Sequence, residues 1–168
     1  YKRQITGFGS VFIDGTRFDT NGATFSKDDD EVTQDDLSVG MVVELQGDLD
    51  ARTATVVKFE EDIKGPVDAV GADELTVMGQ SVIITPQTRF DDNLDPALIN
   101  MGDVLEVSGL RGVADVLEAS FIEDKTGDDV NAYKVIGQVR DHDGTAQTFR
   151  IGGLVVDYST ACLLYTSD

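Results

Sequence analysis

One nine-residue segment occurs twice in this chain. Val39-Gly40-Met41-Val42-Val43-Glu44-Leu45-Gln46-Gly47 returns as Met101-Gly102-Asp103-Val104-Leu105-Glu106-Val107-Ser108-Gly109. Both copies read apolar, Gly, any residue, Val, branched apolar, Glu, branched apolar, polar, Gly. A strand-length run bracketed by glycines at matching places is a structural unit, and its recurrence makes the whole unit a repeat.

Val, Ile, Thr and Phe recur between Gly-rich turns, so the 168 residues are expected to be all-β. The expected units are 5–61, 62–126 and the truncated start of a third at 134–161. In the first, residues 5–13 read as strand one, Asp14-Gly15 as a hairpin turn, 16–20 as strand two and 23–25 as strand three. A polar, acidic stretch follows. Thr33 with Asp36 three residues on has the form of a helix cap, then 39–47 and 51–61 are strands four and five. The second unit repeats this order, with Gly65-Pro66-Val67 aligned on Gly9-Ser10-Val11, Arg89-Phe90 on Thr24-Phe25, and Asp95-Pro96 opening the helical turn. Gly137-Gln138-Val139 starts the third.

Three strands, a helical turn and two strands is the order of the OB barrel, with an SH3-like barrel as the competitor. The fold class expected is therefore tandem five-stranded OB-like or SH3-like barrels with one helical turn between strands three and four. Val43, Leu45, Leu105 and Val107 should fill the interiors, with Glu44 and Glu106 outside. Val42 and Val104 share that outer face and are expected to be covered by a neighbouring unit. Gly40 and Gly102 mark turns that need positive φ.

The formal net charge of -19, from 13 basic and 32 acidic residues, sets a field that repels polyanions and argues against nucleic acid as partner. The same charge keeps an exported protein soluble. The fragment contains no apolar run long enough to span a membrane. The chain starts at Tyr1 and reads as an internal fragment of a metagenomic sequence. Codons for Cys162-Leu163-Leu164-Tyr165-Thr166-Ser167 can match a transposon end used in library preparation, so 162–168 is expected to be an adapter-derived tail. Cys162 is the only cysteine.

The Gly-x-Val strand starts, the two Gly-x-Val-x-Glu-x-x-Gly strands and Phe149-Arg150-Ile151-Gly152-Gly153-Leu154-Val155-Val156-Asp157-Tyr158-Ser159 resemble a bacterial family of uncharacterised tandem β-barrel domains. The resemblance covers about residues 5–161. It implies export to the envelope or extracellular space, often as a lipoprotein, and brings no catalytic residues.

Candidate site residues weigh against function one by one. The acidic runs Asp28-Asp29-Asp30-Glu31 with Asp35-Asp36, and Asp91-Asp92 with Asp95, match no calcium-loop spacing and read as solvated loops. Asp141-His142-Asp143-Gly144 lacks the closing glutamate and reads as a hairpin turn, with His142 in solvent. Gly7-Phe8-Gly9 lacks the third glycine and helix of a phosphate loop. Phe12, Phe18, Phe25, Phe59, Phe90 and Phe121 read as core or packing between units. No catalytic, cofactor-binding or metal residue is assigned, and no cofactor. The expectation is a non-enzymatic modular protein with an unknown protein or glycan partner; the alternative is an OB-type module for oligosaccharide or a calcium-assisted surface.

Overall fold

The computed structural model describes residues 2–7, 11–13, 16–27, 30–112, 115–127 and 132–161. The expected turn at Asp14-Gly15, residues 8–10, Asp28-Asp29 and the tail 162–168 lie outside the described residues.

The chain is all-β. The first sheet is open and seven-stranded: β1 (Lys2–Gly7), β2 (Val11–Ile13), β3 (Thr16–Phe18), β4 (Thr24–Lys27), β5 (Asp30–Val32), β6 (Val42–Asp48) and β7 (Thr53–Phe59) stand in the order β3-β2-β1-β6-β7-β4-β5. One parallel bridge, Asp19 to Thr53, brings the chain after β3 back to β7. The second sheet comprises β8 (Ile63–Val70), β9 (Glu74–Val77), β10 (Gln80–Ile83), β11 (Arg89–Phe90), β12 (Val104–Arg111) and β13 (Leu117–Asp124) in the order β10-β9-β8-β12-β13-β11. Parallel pairing of β10 with β13 closes five of these strands into a barrel. β14 (Lys134–Val135) adds to β8, and β15 (Val139–Asp143), β16 (Thr148–Ile151) and β17 (Leu154–Asp157) form a small third sheet.

The repeated segments hold equivalent places. β6 pairs β1 with Glu44 opposite Lys2 and Val42 opposite Gln4, while β12 pairs β8 with Glu106 opposite Lys64 and Val104 opposite Pro66. The Gly40 amide donates to the Ile5 carbonyl, and the Gly102 amide to the Val67 carbonyl, both at 2.9 Å. Ile5 is therefore the counterpart of Val67, which corrects the alignment expected from Gly9-Ser10-Val11. The stretch 5–13 is not one strand: Ile5 pairs antiparallel with Ile13, and Gly7 with Phe12, so the chain reverses between them. Residues 24–27 are correspondingly a fourth strand. Its parallel pairing with β7, Thr24 to Val56 and Phe25 to Val57, matches that of Arg89-Phe90 with Phe121-Ile122, as aligned from sequence.

Side-chain alternation puts Val43, Leu105 and Val107 at 0% exposure and Leu45 at 8%, as expected of interior positions. Each fully buried aliphatic contributes about 1.5–3 kcal/mol relative to exposure. Ile5, Val11, Val57 and Phe59 complete the first core; Ile63, Val67, Leu75, Val77, Val82, Leu117 and Ile122 build the second. The helical turns are single 3-10 turns, Gln34–Asp36 and Pro96–Leu98. Asp36 accepts from the Thr33 amide and hydroxyl, and Asp95 accepts from the Ala97 amide behind Pro96, so both caps fall where their residue types require.

Gly40 and Gly102 have φ of +109° and +93°. A Cβ at Gly102 would meet nothing within 4 Å, whereas one at Gly40 would stand 2.9 Å from the Ser120 carbonyl oxygen of the second unit. Gly40→Val is expected to lower stability by about 1–3 kcal/mol and Gly102→Ala by the smaller part of that range, because only the first adds a clash to the backbone strain. An unchanged urea midpoint for Gly40→Val would contradict this.

Candidate functional site

The junction between the first two sheets gathers the buried polar groups that alternation alone would leave in water. It starts from a change of parity in β13. Ser108 pairs Phe121 while Gly109 pairs Ala119, leaving Ser120 as an extra residue. Leu117, Ala119 and Ile122 face their own barrel, but Phe121 turns outward and joins the core of the first sheet, 6% exposed. The same irregularity in β7, between Gln46-Val56 and Gly47-Ala54, leaves Val56 as the counterpart of Phe121, only half-buried.

Around this plug the two repeated strands touch. The Val42 amide donates to Ser108 Oγ at 2.9 Å, and Ser120 Oγ donates to the Ser108 carbonyl. Val42 is 2% exposed, as expected of a residue covered by a neighbouring unit. Glu106 does point away from its barrel interior, but it is not solvated: it is 3% exposed, with Lys27 Nζ 3.0 Å from Oε1 and Lys64 Nζ 3.8 Å from Oε2. Lys27 also lies 3.6 Å from Glu123 and 5.2 Å from the centre of the Phe59 ring. The counterpart carboxylate, Glu44, is only half-buried. Residues 60–62 alone separate β7 from β8, and two of the three are buried: Glu61, 3.7 Å from Lys134, and Asp62, which accepts from the Gly109 amide. Lys27, Lys58, Lys64, Lys125 and Lys134 thus each sit within 4 Å of a carboxylate.

Beside the junction lies an open cleft of about 470 Å³ with Gln4, Thr6, Gln87 and Thr88 along it and Val39 and Arg89 at one end. A second hollow of about 190 Å³ shares Val39 and Arg89 and continues to Phe90 and Asp92. The Arg89 guanidinium is exposed and makes no ion pair among the described residues.

Three members of the acidic runs, Asp36, Asp91 and Asp95, serve local turns. Asp91 accepts from the Asn93 amide and side chain, and hydrogen bonds from Thr33 hold the Asp36 carboxyl below its usual pKa. Among the described residues no three His, Cys, Asp or Glu side chains come together as a metal-holding group. Asp143 accepts from the amides of Thr145 and Ala146 in the loop 144–147, which joins β15 to the antiparallel β16, so a hairpin turn follows Asp143 as expected. Those amides and His142 depress its pKa, and hydrogen bonds from Ser159 do the same for Asp157. Folded values below the unfolded ones mean that the stabilisation from all three is present above the ordinary carboxylate range and lost as pH falls. His142 lies on β15, exposed, with its ring stacked on Tyr158 and Nε2 2.6 Å from the phenol oxygen. Of the six phenylalanines expected in cores or packing, Phe18, Phe59 and Phe121 are buried in the first core, Phe25 and Phe90 are half-buried against the first and second cores, and Phe12 is half-buried outside both. Among the described residues no helix is long and apolar enough to cross a membrane.

An all-β chain with a closed five-stranded barrel and an open sheet of related strand order is a small-barrel protein. The chain belongs to the family described as a domain of unknown function, DUF5666, whose model matches it twice, at residues 3–58 and 64–123. No curated protein and no solved structure matches the chain.

Proposed function

We propose that the chain is a non-enzymatic modular protein of the bacterial envelope or extracellular space, in which OB-like units are locked end to end as a spacer that presents its loops to a partner. The observation that carries this is Phe121, a side chain of one unit built into the core of another across a three-residue link in which Glu61 and Asp62 are buried. The OB reading is supported by the order β10-β9-β8-β12-β13, by the parallel return of β13 to β10 and by the 3-10 turn before β12. Two family matches in succession support the tandem arrangement. The non-enzymatic reading is supported by the use made of the buried acids: Glu61 lies beside Lys134, Asp62 accepts from the Gly109 amide, and Glu106 lies beside Lys27 and Lys64.

A locked link resists proteolysis until the units unfold. A glutamate-specific protease is expected to leave the bonds after Glu60 and Glu61 intact in the native chain; early cleavage there would contradict a rigid spacer. Export is tested by fractionating cells that make the full-length protein, where a cytoplasmic location would overturn it.

A second reading, an oligosaccharide-binding module, is favoured by the junction cleft. Amide and hydroxyl groups of Gln4, Thr6 and Gln87 suit sugar hydroxyls, and Arg89 suits a carboxylate. Immobilised glycans should retain the parent chain and fail to retain Arg89→Ala if this holds. Retention of single-stranded DNA that falls steeply with salt would favour nucleic acid instead.

A further inference from the structure

The third sheet repeats the first three strands of the closed barrel. Val139 pairs Ile151 as Val67 pairs Val77, Phe149 pairs Val156 as Leu75 pairs Val82, and Ile151 pairs Leu154 as Val77 pairs Gln80. One face of this sheet is therefore Val139, Phe149, Ile151, Leu154 and Val156. In the closed barrel the matching Val67, Leu75, Val77 and Val82 are at most 3% exposed. In the third sheet Val139 is 54% exposed and the other four are half-buried. The closed barrel also displays what covers such a face. β12 lies antiparallel along β8, with the Val67 amide donating to the Asp103 carbonyl, and β13 lies parallel along β10; together they add Leu105, Val107, Leu117, Ala119 and Ile122.

We propose that the third sheet is an acceptor for an antiparallel strand pair of the β12–β13 type, a glycine-led strand with apolar residues at alternate positions followed by one that runs parallel to β17. Two backbone edges are placed for it. On the first, residues 135, 137 and 139 are the counterparts of 63, 65 and 67, which face β12; β14 meets β8 through the other side, where the Ile136 amide donates to the Asp62 carbonyl. On the second, Val156 and Asp157 are the counterparts of Val82 and Ile83, which pair with Leu117 and Glu118. A ribbon of this kind satisfies both edges and covers the apolar face at once, as strand addition does in other sheets. The inference rests on the third sheet alone and stands whether or not the first two units act as a spacer.

The probe is a peptide with the sequence of residues 95–126, added to the full chain, with the same peptide carrying Leu105→Asp and Leu117→Asp as control. In a second arm the peptide sequence follows Ala161 through a flexible linker in place of 162–168. Amide hydrogen exchange in residues 139 and 154–157 should slow by about tenfold or more with the wild-type ribbon in either arm, and remain unchanged with the control. No slowing in either arm would overturn the proposal. So would protection of the same amides in the chain alone that rises with concentration alongside a dimer in sedimentation, since a second copy would then be the occupant.

Discussion

Phe121→Ala should cost about 3–5 kcal/mol, the range for truncating a buried phenylalanine, and the loss should fall on the unit that does not contain residue 121. The side chain joins the first core from β13 of the second barrel, so its removal opens a cavity in the cluster that includes Ile5 and Met41, while the interior of its own barrel keeps Leu117, Ala119 and Ile122. Amide exchange should therefore quicken in β1 and β6 more than in β8 and β12. Val56→Ala, at the equivalent place in the first unit, should cost about 1 kcal/mol or less, because a half-buried valine has far less to lose. Equal losses at the two positions would show that Phe121 is an ordinary surface aromatic.

Glu106→Gln is expected to cost roughly 2–3 kcal/mol. Removing one partner of a buried ion pair typically costs more, but Lys27 and Lys64 keep 22% and 26% exposure and can partly turn to water. Glu44→Gln, the same letter of the first copy of the motif, should change stability by no more than about 0.5 kcal/mol, since Glu44 is only half-buried. If Glu106 carries charge across the junction, then Glu106→Met combined with Lys27→Met should recover part of the loss, as apolar replacement of both buried partners often does. Thermal melting of the three variants checks the ranking; a Glu106→Gln melting temperature equal to that of the parent would refute it.

The motif made the repeat legible because its glycines are fixed by backbone geometry. Gly40 and Gly102 sit at positive φ in register with equivalent neighbours, Ile5 and Val67, and Gly47 and Gly109 each lie where a Cβ would overlap a carbonyl oxygen of the next strand, of Thr53 and of Glu118 respectively. The first strand was misread because an apolar run through Gly7 and Phe12 has the same composition whether it continues or doubles back. The junction was only half legible. Two adjacent large apolar residues, Phe121-Ile122, break the alternation of β13, and that break is the trace of the extra residue at Ser120. Which surface Phe121 enters depends on a neighbour that no local pattern names. The burial of Glu106 was hidden for the same reason: Glu44 and Glu106 occupy one motif position, and only the second meets Lys27.

The distance between nitroxide labels at Leu49→Cys and Leu98→Cys, both exposed and one in each unit, tests the junction most directly once Cys162 is replaced by Ser. Pulsed electron resonance on that chain should give one narrow distribution, broadened when Phe121→Ala is added. A broad distribution in the parent chain would mean that the two units are tethered, not locked.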